Sequence, residues 1–235
     1  MRDFGKSAGE AGRAAIRRSL KWNDDHNIMT VLQRRGVRMR YDGEHKQQTR
    51  AKVLDAAARA IRIAGPDRVG VAGVMAEAGL THGGFYAHFA SKDELVVAAI
   101  ERMFEQARAH FARETDGKAP ADALRAYIDF YLSKRHRDMR EIGCPMPALA
   151  SDLPRLGDDA RAVYAAGVRS LVARLRDLLA QLGHADAEAE ARSAVAELIG
   201  ALSISRVEPD PRRSDAVLAH SRTALKRRFG VESIA

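Results

Sequence analysis

The sequence predicts an all-α fold, a three-helix helix-turn-helix domain followed by a larger helical domain. Three observations lead there. Apolar residues recur at helical spacing from about residue 44 to residue 229, and clusters of Gly and Pro interrupt them at helix-length intervals. No stretch alternates apolar and polar residues between hairpin turns. An apolar content of 46% with only 6% aromatics suits a core built mainly of Ala, Leu and Val.

Residues 1–43 lack sustained periodicity and read as a disordered extension ending in the basic cluster Arg34, Arg35 and Arg38. A sequence-independent phosphate-binding arm, a passive tail and translation from an upstream start codon (Met39 follows at once) all remain open. Val53, Ala57 and Ile61 then form one stripe on a first helix that stops near Gly65-Pro66. A short helix over Val71–Ala78 and another over Thr81–Phe89 flank Gly79-Leu80. Ser91-Lys92-Asp93-Glu94 has the Ser-x-x-Glu form of a capping box and opens a long helix to about Arg113. After the break at Asp116-Gly117, a helix is expected from Pro120 to about Arg137. The Pro-rich connection Gly143–Pro147 follows, then a short helix at Ala148–Leu153. Long helices are expected from Asp158 to Gly183 and from Ala187 to Ser205, and a last one from Ser214 to Phe229. The expected domains are 44–91 and 92–235.

The formal charge of +8 invites a polyanion partner, but its placement weakens the inference. Residues 1–38 hold nine Lys/Arg against four Asp/Glu, whereas 39–95 hold eight against seven. No apolar run is long enough to cross a bilayer, and the N-terminus lacks a signal-peptide pattern, so a cytoplasmic protein with no membrane partner is expected. One cysteine, Cys144, precludes an internal disulfide and a multi-cysteine metal site. Neither a metal nor a cofactor is expected.

Function is legible in Val71–Leu95, VAGVMAEAGLTHGGFYAHFASKDEL. Two short helices joined by a tight turn match a helix-turn-helix, and Gly79 can take the positive φ of such a turn. Thr81 is placed to cap the second helix. Val74, Ala78, Leu80, Phe85 and Phe89 are spaced to pack inward, which leaves His82, Gly83, Gly84, Tyr86 and His88 on the outer face. Gly inside a helix costs about 1 kcal/mol relative to Ala, so two in succession ask for a reason. Close approach of the helix N-terminus to phosphate or base edges is one; a short, weak helix is the other.

The run Ala78–Phe89, followed by Ser91–Leu95, resembles the recognition helix and connecting-helix start of the TetR/AcrR family of repressors, with the resemblance extending from Thr49 to Leu95. Gly143-Cys144-Pro145-Met146 with Leu149-Ala150-Ser151 is similar to a stretch found in part of that family. The resemblance implies that Thr81, His82, Gly83, Tyr86 and His88 face the major groove or its phosphates. It also implies that Lys92 binds a phosphate and Arg50 clamps the backbone. Family members often carry Ser or Thr where this chain has Gly70, so one capping hydroxyl is missing. A dimer on a palindromic double-stranded operator, released by a small-molecule effector through movement of the helix from Lys92, is the implied mechanism.

Val195, Leu198, Ile199 and Leu202, with Leu218 and Leu225 on the last helix, form stripes that either line a homodimer interface or serve the intrachain core. Phe104, Phe111, Tyr127, Phe130, Tyr131 and Met139 are candidates to line an effector pocket for an apolar or aromatic molecule, although aromatics at such spacing also build plain cores. Cys144, close in sequence to Arg140 and His136 and near an expected helix N-terminus, is a candidate low-pKa thiol sensing electrophiles or oxidants; an inert buried cysteine is the alternative. A cysteine-dependent enzyme with His136 as base, an effector-independent DNA-binding protein and a transcriptional activator complete the alternatives.

Overall fold

The structure is a computed structural model that describes residues 45–232. The reading of 1–43 as an extension lies outside the described residues. Backbone packing divides the chain into two compact units, Met1–Arg50 and Ala51–Ala235. In the first, residues 45–50 are helical. The second opens with α1 (51–64), followed by α2 (Val71–Glu77) and a 3-10 helix, His82–Ala87. The larger part is α3 (Lys92–Thr115), α4 (Pro120–Tyr131), α5 (Lys134–Asp138), α6 (Pro145–Leu149), α7 (Asp158–Gln181), α8 (Ala187–Val207) and α9 (Pro211–Arg228). The described residues contain no strand.

Local chemistry sets these boundaries. Gly79 takes φ 74° just past α2, where the Leu80 N–H donates to the Met75 carbonyl (2.9 Å) and the Gly79 N–H to the Ala76 carbonyl (3.0 Å). That pair of bonds satisfies the last carbonyls of the helix and reverses the chain in two residues. Gly183 closes α7 in the same conformation. At the start of α3 the Ser91 hydroxyl accepts from the Glu94 N–H at 3.0 Å, as its capping box predicts. The reciprocal bond goes one residue further out, from the Ala90 N–H to the Glu94 carboxylate at 2.6 Å.

Three expectations need correction. The segment expected as one helix from Pro120 to Arg137 breaks after Tyr131. The Ser133 hydroxyl donates to the Phe130 carbonyl (2.7 Å) and accepts from the His136 N–H (3.0 Å), so it ends one helix and caps the next. The short helix expected at Ala148–Leu153 instead occupies Pro145–Leu149, because Pro145 suits a first helical position. The last helix begins at Pro211, three residues early, where Asp210 accepts from the Arg212 N–H at 2.8 Å.

α7, α8 and α9 pack in succession, with α3 and α4 against α7, around one continuous apolar core. Val195, Leu198, Leu202, Leu218 and Leu225 are all buried inside the single chain. Their assignment to a dimer interface is therefore corrected: a 3.6-residue stripe says that a face is covered, not by what. Of that set only Ile199 remains half-buried. Further along α8, Ile204 and Val207 are 56% and 79% exposed.

Candidate functional site

The first candidate is the 3-10 helix His82–Ala87. It is not the α-helix the sequence suggested, and Thr81 at its start makes no side-chain cap bond. The two consecutive glycines disfavour a full α-helical turn. What fixes the segment is below it: Phe85 and Phe89 are buried and their rings stack at 5.7 Å, alongside the buried Val74 and Met75. The remaining side chains are thereby turned outward. Thr81, His82, Gly83 and Tyr86 are exposed, Gly84 and His88 half-buried. The Tyr86 ring, 71% exposed, rests edge-on against Phe85 at 5.2 Å.

Neither glycine is demanded by packing. A Cβ on Gly83 would meet nothing within 4 Å, and one on Gly84 would make only ordinary contacts with Met75 and Thr81. Lys92 is half-buried and its ammonium donates to the Asp67 carbonyl at 3.1 Å, which holds the base of α3 near the rim while leaving two donor hydrogens. Arg59 of α1 grips Glu77 of α2 through two bonds of 2.8 and 3.0 Å. α2 starts at Gly70 with no side-chain cap, as the missing hydroxyl implies. Arg50 is half-buried and lies in the first compact unit.

The second candidate is a cavity among α3, α4, α7 and the segment 142–146, with about 500 Å³ of unfilled space including its mouth. Phe104, Phe111, Tyr127, Phe130, Tyr131 and Cys144 all line it. Met139 does not. It lies outside, 39% exposed, with its sulfur accepting from Arg135. Phe111 and Tyr127 meet at 4.6 Å, and Phe130 stacks on His136 at 5.1 Å and on His110 at 5.5 Å. Burial and the neighbouring Arg113 guanidinium hold His110 below the usual imidazole pKa.

His136 is buried, and its ring is fully engaged. Nδ1 lies 2.8 Å from the Tyr131 carbonyl, and Nε2 accepts from the Cys144 backbone N–H at 3.0 Å. That network assigns the proton to Nδ1. Burial lowers its pKa to about 4. The expectation of a cationic neighbour or general base at His136 is corrected on this ground, since its free lone pair is spent on a backbone amide. The expectation of an acidic thiol at Cys144 is corrected too: burial pushes its pKa up, outweighing Tyr131, the Met146 backbone, Arg206 and Arg62. Arg140 is exposed and is not among the groups that influence it.

Several residues escaped the sequence reading. Arg62, 3% exposed, reaches from α1 to the Gln106 side chain of α3 (2.8 Å) and to the Glu141 carbonyl (3.1 Å), beside the cavity wall. Burial lowers its pKa to about 10. Arg108 and Arg174 stand at the cavity, the latter with its guanidinium 5.4 Å from the Phe111 ring centroid. Gly167, in mid α7, has the Phe104 ring lying where its Cβ would be. A glycine inside a helical run was the available signal for the last; arginines on amphipathic helices gave none.

Residues 53–99 match the profile described as bacterial regulatory proteins, tetR family. Over 107 residues the chain is 33% identical to the HTH-type transcriptional regulator TtgR of Pseudomonas putida, covering 42% of this chain and 50% of that one. It matches the probable HTH-type transcriptional regulator ArpR of Pseudomonas putida to the same extent. The chain thus spans about half the length of the curated relatives it matches. Among solved structures, a TetR transcriptional regulator from Chloroflexus aurantiacus J-10-FL superposes with a TM-score of 0.69 at 25% identity, covering 80% of this chain and 96% of that one. The reduced form of E. coli NemR superposes with a TM-score of 0.68 at 21% identity, covering 77% and 96%. The family is one of regulators rather than enzymes. With its Phe-anchored helix-turn-helix inside the matched segment and its helical remainder superposing on solved structures of that family, the chain is similar to the tetR family of bacterial regulatory proteins over its N-terminal helices and shares the helical fold beyond them.

Proposed function

We propose that the chain is a cytoplasmic transcription regulator, a repressor, that binds a palindromic double-stranded operator as a homodimer and is released by a small-molecule effector. The observation that carries this reading is the 3-10 helix whose aromatic side is buried while Thr81, His82, Gly83 and Tyr86 project outward. Residues 44–91 form the DNA-binding domain and 92–235 the effector-binding and dimerisation domain. Gly83 and Gly84, which no neighbour in the described structure requires, keep the rim low enough for duplex DNA to approach. Gly84 and His88 flank that rim, Lys92 takes a phosphate at its base and Arg50 a second one.

A single helix-turn-helix covers one half-site, so a twofold partner is needed to span adjacent major grooves. The outward side of α8, with Ile199, Ile204 and Val207, supplies an apolar face for that partner. The effector occupies the aromatic cavity, and the protonated, buried Cys144 favours non-covalent recognition there. Release then needs a ligand with different affinities for two arrangements of the chain, since it can shift the equilibrium only by that difference.

The test is a fluorescence-anisotropy titration on the duplex upstream of the chain's own gene. Tyr86→Ala and Lys92→Ala are expected to weaken binding about tenfold each, in line with one lost contact of about 1–2 kcal/mol. Wild-type affinity in both variants would overturn the contact assignment.

A further inference from the structure

We propose that the ligand of the aromatic cavity is a small planar aromatic anion carrying a second polar group at its far end, such as a hydroxylated aromatic carboxylate. This rests on the reading of the cavity as the effector site and adds the chemistry of what enters it.

Three observations converge. Phe111, Tyr127 and Phe130 line the space, so this part of its wall is aromatic and suits an aromatic guest. The residues lining the cavity include Arg108 and Arg174 but no Asp or Glu. Among the described residues neither arginine makes an ion pair or a hydrogen bond; Arg174 has only the Phe111 ring beneath it. Two further guanidiniums, Arg62 and Arg206, act on Cys144 from behind the wall. The cavity therefore carries uncompensated positive charge, which favours an anion and opposes an organic cation.

The third observation is the Tyr131 hydroxyl. Tyr131 is 1% exposed and lines the cavity, and its oxygen has no hydrogen-bond partner among the described residues. The Cys144 thiol is a weak hydrogen-bonding neighbour, close enough that each group shifts the other's titration, and it leaves the phenol without a full-strength partner. A buried phenol without a strong partner is destabilising, and a guest hydroxyl or carbonyl would supply the missing hydrogen bond. Burial also keeps Tyr131 protonated, so it can donate or accept.

The probe is 4-hydroxycinnamate, compared by calorimetry on the full chain with its neutral methyl ester, with cinnamate and with cationic tyramine. The acid should bind saturably, about tenfold more tightly than the ester, with tyramine weakest, as expected for a charge-assisted bond. Arg174→Gln with Arg108→Gln should bring acid and ester to equal affinity. Tyr131→Phe should weaken 4-hydroxycinnamate several-fold while leaving cinnamate unchanged, a split that general damage to the cavity would not produce. Equal affinity for acid and ester in the wild type, or preference for the cation, overturns the proposal, as does absence of acid binding. The anisotropy titration separates the two readings. Release of DNA by the ester but not the acid sinks the anion and spares the effector site. Binding of the acid without any change in DNA affinity spares the anion and sinks the effector assignment.

Discussion

At the scale of single residues, burial decides more than sequence neighbourhood does. Cys144 stands two residues from Ile142 and four from Arg140, and from sequence its surroundings read as basic. In the folded chain its backbone N–H is held by His136, and its sulfur sits in a wall of aromatic side chains. The thiol should therefore stay protonated and slow to react. Modification by 5,5′-dithiobis(2-nitrobenzoate) at pH 8 is expected to run at least tenfold slower in the native protein than in urea; equal rates would mean the thiol is exposed and ionised after all. Gly167 shows the same principle in reverse. The Phe104 ring lies against its bare backbone, so a residue that costs helix stability is kept because it makes room for a cavity wall. A glycine inside a helical run marks the position in the sequence, but only the fold shows what fills the space beside it.

At the scale of elements, caps and turns were the legible features. The Ser91 box, Gly79 and Gly183 lie where their local chemistry requires, because these signals act over three or four residues. The break between α4 and α5 was missed since Ser133 competes for backbone bonds in a run that otherwise propagates as helix. That break places His136 against Tyr131 and Cys144, and it gives the segment a pH dependence. With a pKa near 4 in the fold against about 6.5 when unfolded, the imidazole is neutral in the native state at pH 7. The unfolded chain binds the proton first, so this contribution to stability is present above pH 6.5 and lost as pH falls towards 4. On the order of 3 kcal/mol should disappear across that window from this group. Urea unfolding at pH 7 and at pH 4.5 should show the loss in the wild type and a clearly smaller one in His136→Gln; the same loss in both would remove His136 as the cause.

At the scale of the whole molecule, sequence periodicity located the helical core but not which stripes would be shared with a second copy. Val195, Leu198, Leu202, Leu218 and Leu225 are consumed inside the chain, leaving Ile204 and Val207 on the open side of α8. Ile204→Glu with Val207→Glu should convert the proposed dimer to monomer in light scattering at micromolar concentration with little change in helical content; an unaltered dimer would move the interface elsewhere. Arg62 ties α1 to α3 and to Glu141, one residue before Ile142 in the wall of the aromatic cavity. Under the proposed function, a ligand that shifts the 142–144 segment would act on α1 through the Arg62–Glu141 bond. Sequence could not show this link, since residues 62, 106 and 141 are brought together only by the fold.

Under the proposed function, the rim of His82–Ala87 is shaped for DNA and not for the chain's own packing. Gly83→Ala separates the two, because its Cβ would enter open space in the free protein. The anisotropy titration on the upstream duplex, paired with thermal unfolding, should show an unchanged or slightly raised Tm together with DNA affinity reduced about tenfold or more. Wild-type affinity in Gly83→Ala, with the fold intact, would contradict the account.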